Sequence, residues 1–244
     1  MIFSKKGFLG DGASSRVLWS SGDWEETFKA NLKIQPRDWY YRNAEIVYEY
    51  NNDGHRCKDI EDIDLDNYIL FAGCSHTEAV GLELEKSYPY LVADHFKLDY
   101  YNLAVGGSGI DVIEYNLLLW ASIIPKKPKL VVIQWPIHNR FLSWRDGYNT
   151  MFTEGTWSDE DSTLRFIDSS ETLGLFNARK KITSKLINNV YDCPIHYVQM
   201  SDAPLINLKN YVNLRIIDTA RDLSHPGIRS HKKVADDLIA QINL

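Results

Sequence analysis

The rhythm of apolar and polar positions changes at about residue 66. Before that point hydrophobic periodicity is weak, and Trp, Tyr, Asp and Asn are frequent. One stretch there is regular: Glu45-Ile46-Val47-Tyr48-Glu49-Tyr50 alternates as a half-buried strand does. The following Asn51-Asn52-Asp53-Gly54 predicts a turn, because Asn, Asp and Gly tolerate positive φ. Residues 1–66 are expected to form an N-terminal extension packed on the main domain, with a strand or hairpin near its end.

From Asn67 the order strand, loop, helix recurs. Short apolar runs predict buried strands at Tyr68–Ala72, Tyr100–Ala104, Lys129–Trp135, Ile195–Gln199 and Leu214–Asp218. Helical spacing predicts helices over Tyr88–Phe96, Asp111–Ile124, Glu171–Val190 and Ile228–Ile242. Buried strands alternating with amphipathic helices imply a three-layer α/β/α domain over 67–244, built on a parallel sheet of about five strands. Right-handed crossovers place the strand C-termini along one edge, where ligands bind in such sheets. Residues 140–168 form a long polar and aromatic stretch with Trp144, Tyr148, Phe152 and Trp157, the pattern of a lid or substrate loop.

Composition narrows the function classes. The chain has a formal net charge of −6 and no dense Lys/Arg run, so no surface is expected to displace counterions from nucleic acid. The basic cluster Arg179-Lys180-Lys181 reads as the solvated face of a helix. Cys57, Cys74 and Cys193 have neither disulfide-framework nor zinc spacing. No apolar run approaches the ~20 residues that cross a bilayer, and Met1–Lys6 lacks the apolar stretch of a secretion signal. A reduced, cytoplasmic protein without membrane or nucleic-acid partners is the expectation.

Chemistry concentrates at the predicted strand ends. The first strand leads into Gly73-Cys74-Ser75-His76-Thr77, which sets a hydroxyl at a strand-to-helix turn, where backbone N–H groups favour developing negative charge. Ser75 as a mere helix cap is the competing reading. After the fifth strand comes Asp222-Leu223-Ser224-His225-Pro226-Gly227. A carboxylate three residues before an imidazole can accept its Nδ1–H and aim Nε2 at a serine; a structural turn is the alternative. His231 is a rival base without that spacing. His76, His138 and Arg140 are candidates for substrate contact, with a solvated or helix-lining role as the plain alternative. Arg145 is weighed with Arg140 as a site for an anionic group. Gly106-Gly107-Ser108-Gly109 lacks the Gly-Lys-Ser/Thr of a phosphate loop.

Together these segments resemble the SGNH, or GDSL-like, hydrolases. Ile69–Thr77 is similar to the first block of that family, with Cys74 at the Asp of Gly-Asp-Ser. Tyr101–Ser108 resembles the second block, Asn102 matching its Asn and Gly107 its oxyanion glycine. Asp222–His225 resembles the C-terminal Asp-x-x-His, and Asn51–Arg56 a segment that precedes the first block in many bacterial members. The third block, usually Gly-x-Asn-Asp, is here Gln134-Trp135-Pro136-Ile137-His138-Asn139-Arg140. An ungapped count puts His138 on the oxyanion Asn; a one-residue bulge puts Asn139 there. Asn139 is the expected donor, because an amide N–H needs no particular protonation state.

The resemblance implies a flavodoxin-like fold and an ester hydrolase with Ser75 as nucleophile, His225 as base and Asp222 as its orienting acid. The oxyanion would be held by the N–H groups of Ser75 and Gly107 and by Asn139, with no cofactor or metal. It implies a short-chain ester as substrate, such as an O-acetyl group on a carbohydrate. Acyl transfer by the same triad, and an inactive binding module on the same fold, are the competing functions.

Overall fold

The computed structural model describes residues 2–12, 14–20, 22–136, 140–144, 151–154, 170–200 and 209–244. His138, Asn139 and most of the expected 140–168 loop, including Arg145, Tyr148 and Trp157, lie outside them. The N-terminal extension carries β1 (Ile2–Phe3), β2 (Leu9–Gly10), β3 (Ser15–Val17), α1 (Glu25–Ile34) and β4 (Tyr48–Tyr50). Then follow β5 (Tyr68–Ala72), α2 (Ser75–Glu78), α3 (Tyr88–Phe96), β6 (Asp99–Asn102), α4 (Ile110–Ile123) and β7 (Leu130–Gln134). A hairpin of β8 (Phe141–Trp144) and β9 (Met151–Glu154) precedes α5 (Ser170–Val190), β10 (Ile195–Met200), β11 (Tyr211–Leu214) and α6 (Ile228–Gln241).

The central sheet is five-stranded, in the order β11-β10-β7-β5-β6. All its pairings are parallel. Alternation along each strand sorts the core into two layers. Tyr68, Leu70 and Ala72 of β5 and Val131 and Ile133 of β7 face Ile113, Leu117 and Trp120 of α4 and Phe176 and Ile187 of α5. Ile69, Phe71, Leu130 and Val132 face Val92 of α3 and Val234 and Leu238 of α6. Strands covered on both faces must be apolar throughout, which is why these runs lack a polar side. The chain turns outward in opposite directions from β5 and β7, so the crevice after β5 is the topological switch point of the sheet.

The expected fifth strand starts earlier, at Tyr211, and ends where it was to begin, at Leu214. Val212 and Leu214 point into the core, while Ile216 and Ile217 are each 45% exposed. Asp218 is not a strand residue but caps the last helix, accepting the N–H groups of Arg229 and Ser230 at 3.0 and 2.8 Å. An edge strand needs one apolar face, and the Ile pair lies beyond it.

A second correction concerns the basic cluster. Lys180 is fully buried on the core-facing stripe of α5, between Phe176 and Ile187, so only its neighbours belong to a solvated face. Burial lowers its ammonium to a pKa of about 8.

The extension is no loose cover. Phe8, Cys57, Ile60 and Ile63 join the layer beneath α4, and Tyr41, Ile46, Tyr48 and Tyr50 pack on Ala79, Leu82 and Ala220. Tyr48 and Tyr50 are buried around an exposed Glu49, in keeping with the expected alternation.

Candidate active site

β5 delivers the chain to Gly73, where side chains are excluded: a Cβ there would lie 2.1 Å from Thr77 Oγ1. Cys74 is the N-cap residue of α2, and Ser75 is its first helical residue. The N-cap position is taken by Cys74, whose side chain makes no capping bond, and not by Ser75. Ser75 is 3% exposed, and its hydroxyl has no hydrogen-bond partner among the described residues. The turn is held from below by Gln134 at the end of β7. Its side-chain oxygen accepts the Cys74 N–H at 3.1 Å, the Cys74 thiol at 3.0 Å and the Thr77 hydroxyl at 3.3 Å. Gln134, which the sequence places at a strand end leading into the third-block segment, thus holds the Cys74–Thr77 turn, a contact that residue order does not reveal.

The far end of α2 is held by Arg56, which is 1% exposed. Its guanidinium donates to the carbonyls of Ala79 and Leu82, each at 2.7 Å, and lies 4.3 Å above the Tyr48 ring. A fixed cation at a helix C-terminus satisfies carbonyls that the helix itself leaves open.

The loop after β11 brings Asp222 and His225, the expected acid and base. Asp222 Oδ2 and His225 Nδ1 form a short hydrogen bond. The same carboxylate accepts the Ser224 hydroxyl at 2.6 Å and the Ser224 and His225 N–H groups, each at 3.1 Å. Burial pushes the Asp222 carboxyl up, but His225 and these bonds outweigh it and bring it down to about 2. Asp222 is therefore ionised across the ordinary pH range. The loop is docked onto the nucleophile segment: Arg221 N–H donates to Gly81 O at 3.1 Å. The His76 and His225 rings meet edge to face, with centroids 5.5 Å apart. The sheet therefore brings the Ser75 and His225 segments together, with the carboxylate–imidazole half of the expected hydrogen-bonded line in place.

His76 is 6% exposed, and its Nδ1 has no hydrogen-bond partner among the described residues. Burial, followed by the charges of His225, Arg140 and His231, holds its pKa well below the usual histidine value. It is a neutral ring beside His225. His231, the rival base, instead accepts the Tyr88 N–H through Nδ1 at 3.1 Å and stacks on the Tyr88 ring. Fully enclosed, it has its pKa lowered to about 3 and is a core histidine. Arg140 is 8% exposed rather than solvated.

The segment expected to serve the oxyanion runs alongside. Beyond β6, Leu103 and Val105 N–H groups still bond to Phe71 O and Gly73 O, so Val105–Ser108 and Ser75 leave the same sheet edge side by side. Gly107 has φ +75°, a value that favours glycine, inside a turn closed by Ser108 N–H to Val105 O. Asn102 donates to Thr77 O at 3.0 Å, tying this strand to α2. Among the described residues no group of His, Cys, Asp and Glu has the arrangement of a metal site, and no helix is long and apolar enough to cross a membrane.

No protein-family model matches the chain, and no curated protein matches it significantly. Solved structures do. An acetyl xylan esterase (Est2A) from the rumen bacterium Butyrivibrio proteoclasticus superposes with a TM-score of 0.48 at 15% identity, over 71% of this chain and 62% of that one. The chain thus spans less than two thirds of that esterase. A putative lipolytic protein of the G-D-S-L family from Desulfitobacterium hafniense matches with a TM-score of 0.44 at 10% identity, over 72% and 99%. The psychrotrophic esterase EstA from Pseudoalteromonas sp. matches with a TM-score of 0.46 at 13% identity, over 72% and 96%.

Proposed function

We propose that the protein is a serine-dependent ester hydrolase of the SGNH type. The observation that carries this reading is the Asp222–His225 pair, seated on the segment that presents the Ser75 hydroxyl at the start of α2. His225 Nε2 takes the Ser75 proton as Oγ attacks the ester carbonyl, while Asp222 holds the Nδ1–H and stabilises the imidazolium. The oxyanion accepts hydrogen bonds from the Ser75 and Gly107 N–H groups and from Asn139. Collapse expels the alcohol, which takes the proton back from His225. A water then gives its proton to His225, attacks the acyl carbon, and the acid leaves as Ser75 recovers its hydrogen. The Ser75–His225 contact itself is open, as is common before a substrate tightens such a site.

The substrate we propose is a short acyl ester, with an O-acetyl group on a carbohydrate as the first to be tried. His76, His138 and Arg140 are the proposed substrate contacts, His76 because its unbonded nitrogen stands beside His225. The open Ser75 hydroxyl also favours one second reading, a binding module that has kept the fold. Turnover of p-nitrophenyl acetate by the wild type and by Ser75→Ala decides between them. Ser75-dependent hydrolysis and labelling of Ser75 by a fluorophosphonate are expected; absence of both leaves the binding module. Added sugar acceptors that divert the acyl group would make the enzyme a transferase.

A further inference from the structure

The N-terminal extension reaches the oxyanion segment through one side chain. Asp11 Oδ2 accepts the Gly106 N–H at 2.8 Å. The strand before it is seated firmly: Leu9 N–H donates to Asn116 Oδ1 at 3.0 Å, and Leu9 packs with Val105 and Val112. Gly10 lies backbone to backbone on the Asp53–Gly54 turn, where a Cβ would come within 2.5 Å of Asp53 O. Asp11 N–H then donates to Gly54 O at 3.0 Å. The position of Asp11 is thus dictated by close main-chain approach on both sides.

The other neighbour of Asp11 is Glu78, the last residue of α2, with which it shares a side-chain hydrogen bond. Glu78 is fully buried, and Tyr50 donates to its Oε1 at 2.6 Å. Burial, then the charge of Asp11, push the Glu78 carboxyl well above its usual range, against the opposing pull of Tyr50 and Arg56. This favours the protonated form of Glu78, which supplies the hydrogen that two ionised carboxylates would lack.

We propose that Asp11 is a positioning residue for the oxyanion hole, tying the Gly106–Gly107 turn to the end of α2 and so fixing the Gly107 N–H relative to that of Ser75. The inference rests on the esterase reading. Both proposed backbone donors come from segments that Asp11 bonds, one through the main chain of Gly106 and the other through the side chain of Glu78. A donor pair set at the right spacing acts on the charge that develops in the transition state and leaves ground-state binding nearly untouched.

The test compares full-length wild type, Asp11→Ala and Asp11→Asn with p-nitrophenyl acetate. In Asp11→Ala, kcat is expected to fall ~10-fold with KM within about two-fold, less than the ~10²–10³ for deleting a donor outright. Asp11→Asn keeps an acceptor for Gly106 and recovers most of that rate. Faster amide exchange at Gly106 in Asp11→Ala, and not in Asp11→Asn, accompanies the loss. Should the alanine variant not fold, Asp11→Ser, too short to reach the turn, is expected to show the same fall in kcat. Unchanged kcat in Asp11→Ala, or a change confined to KM, overturns the role of Asp11 alone. A wild type without Ser75-dependent turnover overturns the esterase reading, and the role of Asp11 with it.

Discussion

The guanidinium of Arg221 lies 2.6 Å from the carboxylate of Asp23, 198 residues earlier in the chain, and both side chains are withdrawn from solvent. Arg221 also stacks on Trp19, 4.1 Å from its centroid, and donates to Leu18 O at 2.7 Å. The next residue is Asp222, so the extension grips the loop that carries His225, the proposed base. Gly22 completes this contact, its Cβ position falling 3.9 Å from His225 Cε1.

Asp23→Ala leaves a buried guanidinium without its counter-charge, and breaking such a pair from one side costs ~3–5 kcal/mol. Urea unfolding is expected to show a loss of that order. Replacing both residues with apolar ones of similar volume should cost clearly less, because no lone charge remains. Equal losses for the single and double replacements would refute the coupling.

The two histidines near the last helix separate by function. His225→Ala is expected to lower kcat/KM for p-nitrophenyl acetate by several orders of magnitude with little change in stability. His231→Ala deletes a ring stacked on Tyr88 in the core and should lower the melting temperature while leaving most of the turnover. The reverse pattern would reassign the base.

Asp222→Asn keeps the shape of the loop but no longer holds His225 in the productive tautomer, and a fall in kcat of ~10⁴ is expected. The carboxyl also leaves a mark on acid stability. Its pKa in the fold is depressed from 3.8 to about 2, so its contribution is present above 3.8 and is lost as pH falls through about 2. Wild type should therefore lose stability more steeply than Asp222→Asn over that window in acid unfolding.

Glu78 has the opposite sign. Its pKa is raised by folding, so the native state binds a proton that the unfolded chain gives up above the ordinary carboxyl value of 4.5. The stability that this protonation supplies is full below that value and declines as pH rises toward the folded pKa. Glu78→Gln supplies the same hydrogen without titrating. The variant is expected to gain melting temperature over wild type as pH rises from 4.5 toward neutrality. A difference independent of pH would show that Glu78 is ionised in the fold.

Much of the scaffold could be read from residue order, since doubly covered strands must be apolar and helices must show their spacing. Thus β5, β7, α3 and α4 fall within a residue or two of their expected limits. The edge strand lies earlier than residue order suggests because Ile216-Ile217 look as apolar as Val212 and Leu214 although they are about half exposed. Lys180 was read as solvated because charge alone does not tell which face of α5 turns inward.

The same division holds at the site. Residue order by itself determined the Asp222–His225 bond, because a three-residue loop spacing lets one side chain fold back on the other. It also placed Ser75 at a strand end. Only the tertiary structure decided what surrounds them: Gln134 beneath the turn, Arg56 at the far end of α2, Asp11 on the oxyanion segment and Asp23 behind the base. These contacts join segments far apart in the chain, and they arise because the parallel crossovers bring all the strand ends to one edge, where the extension can reach them. No local pattern encodes such meetings, since each partner taken alone is an ordinary polar residue.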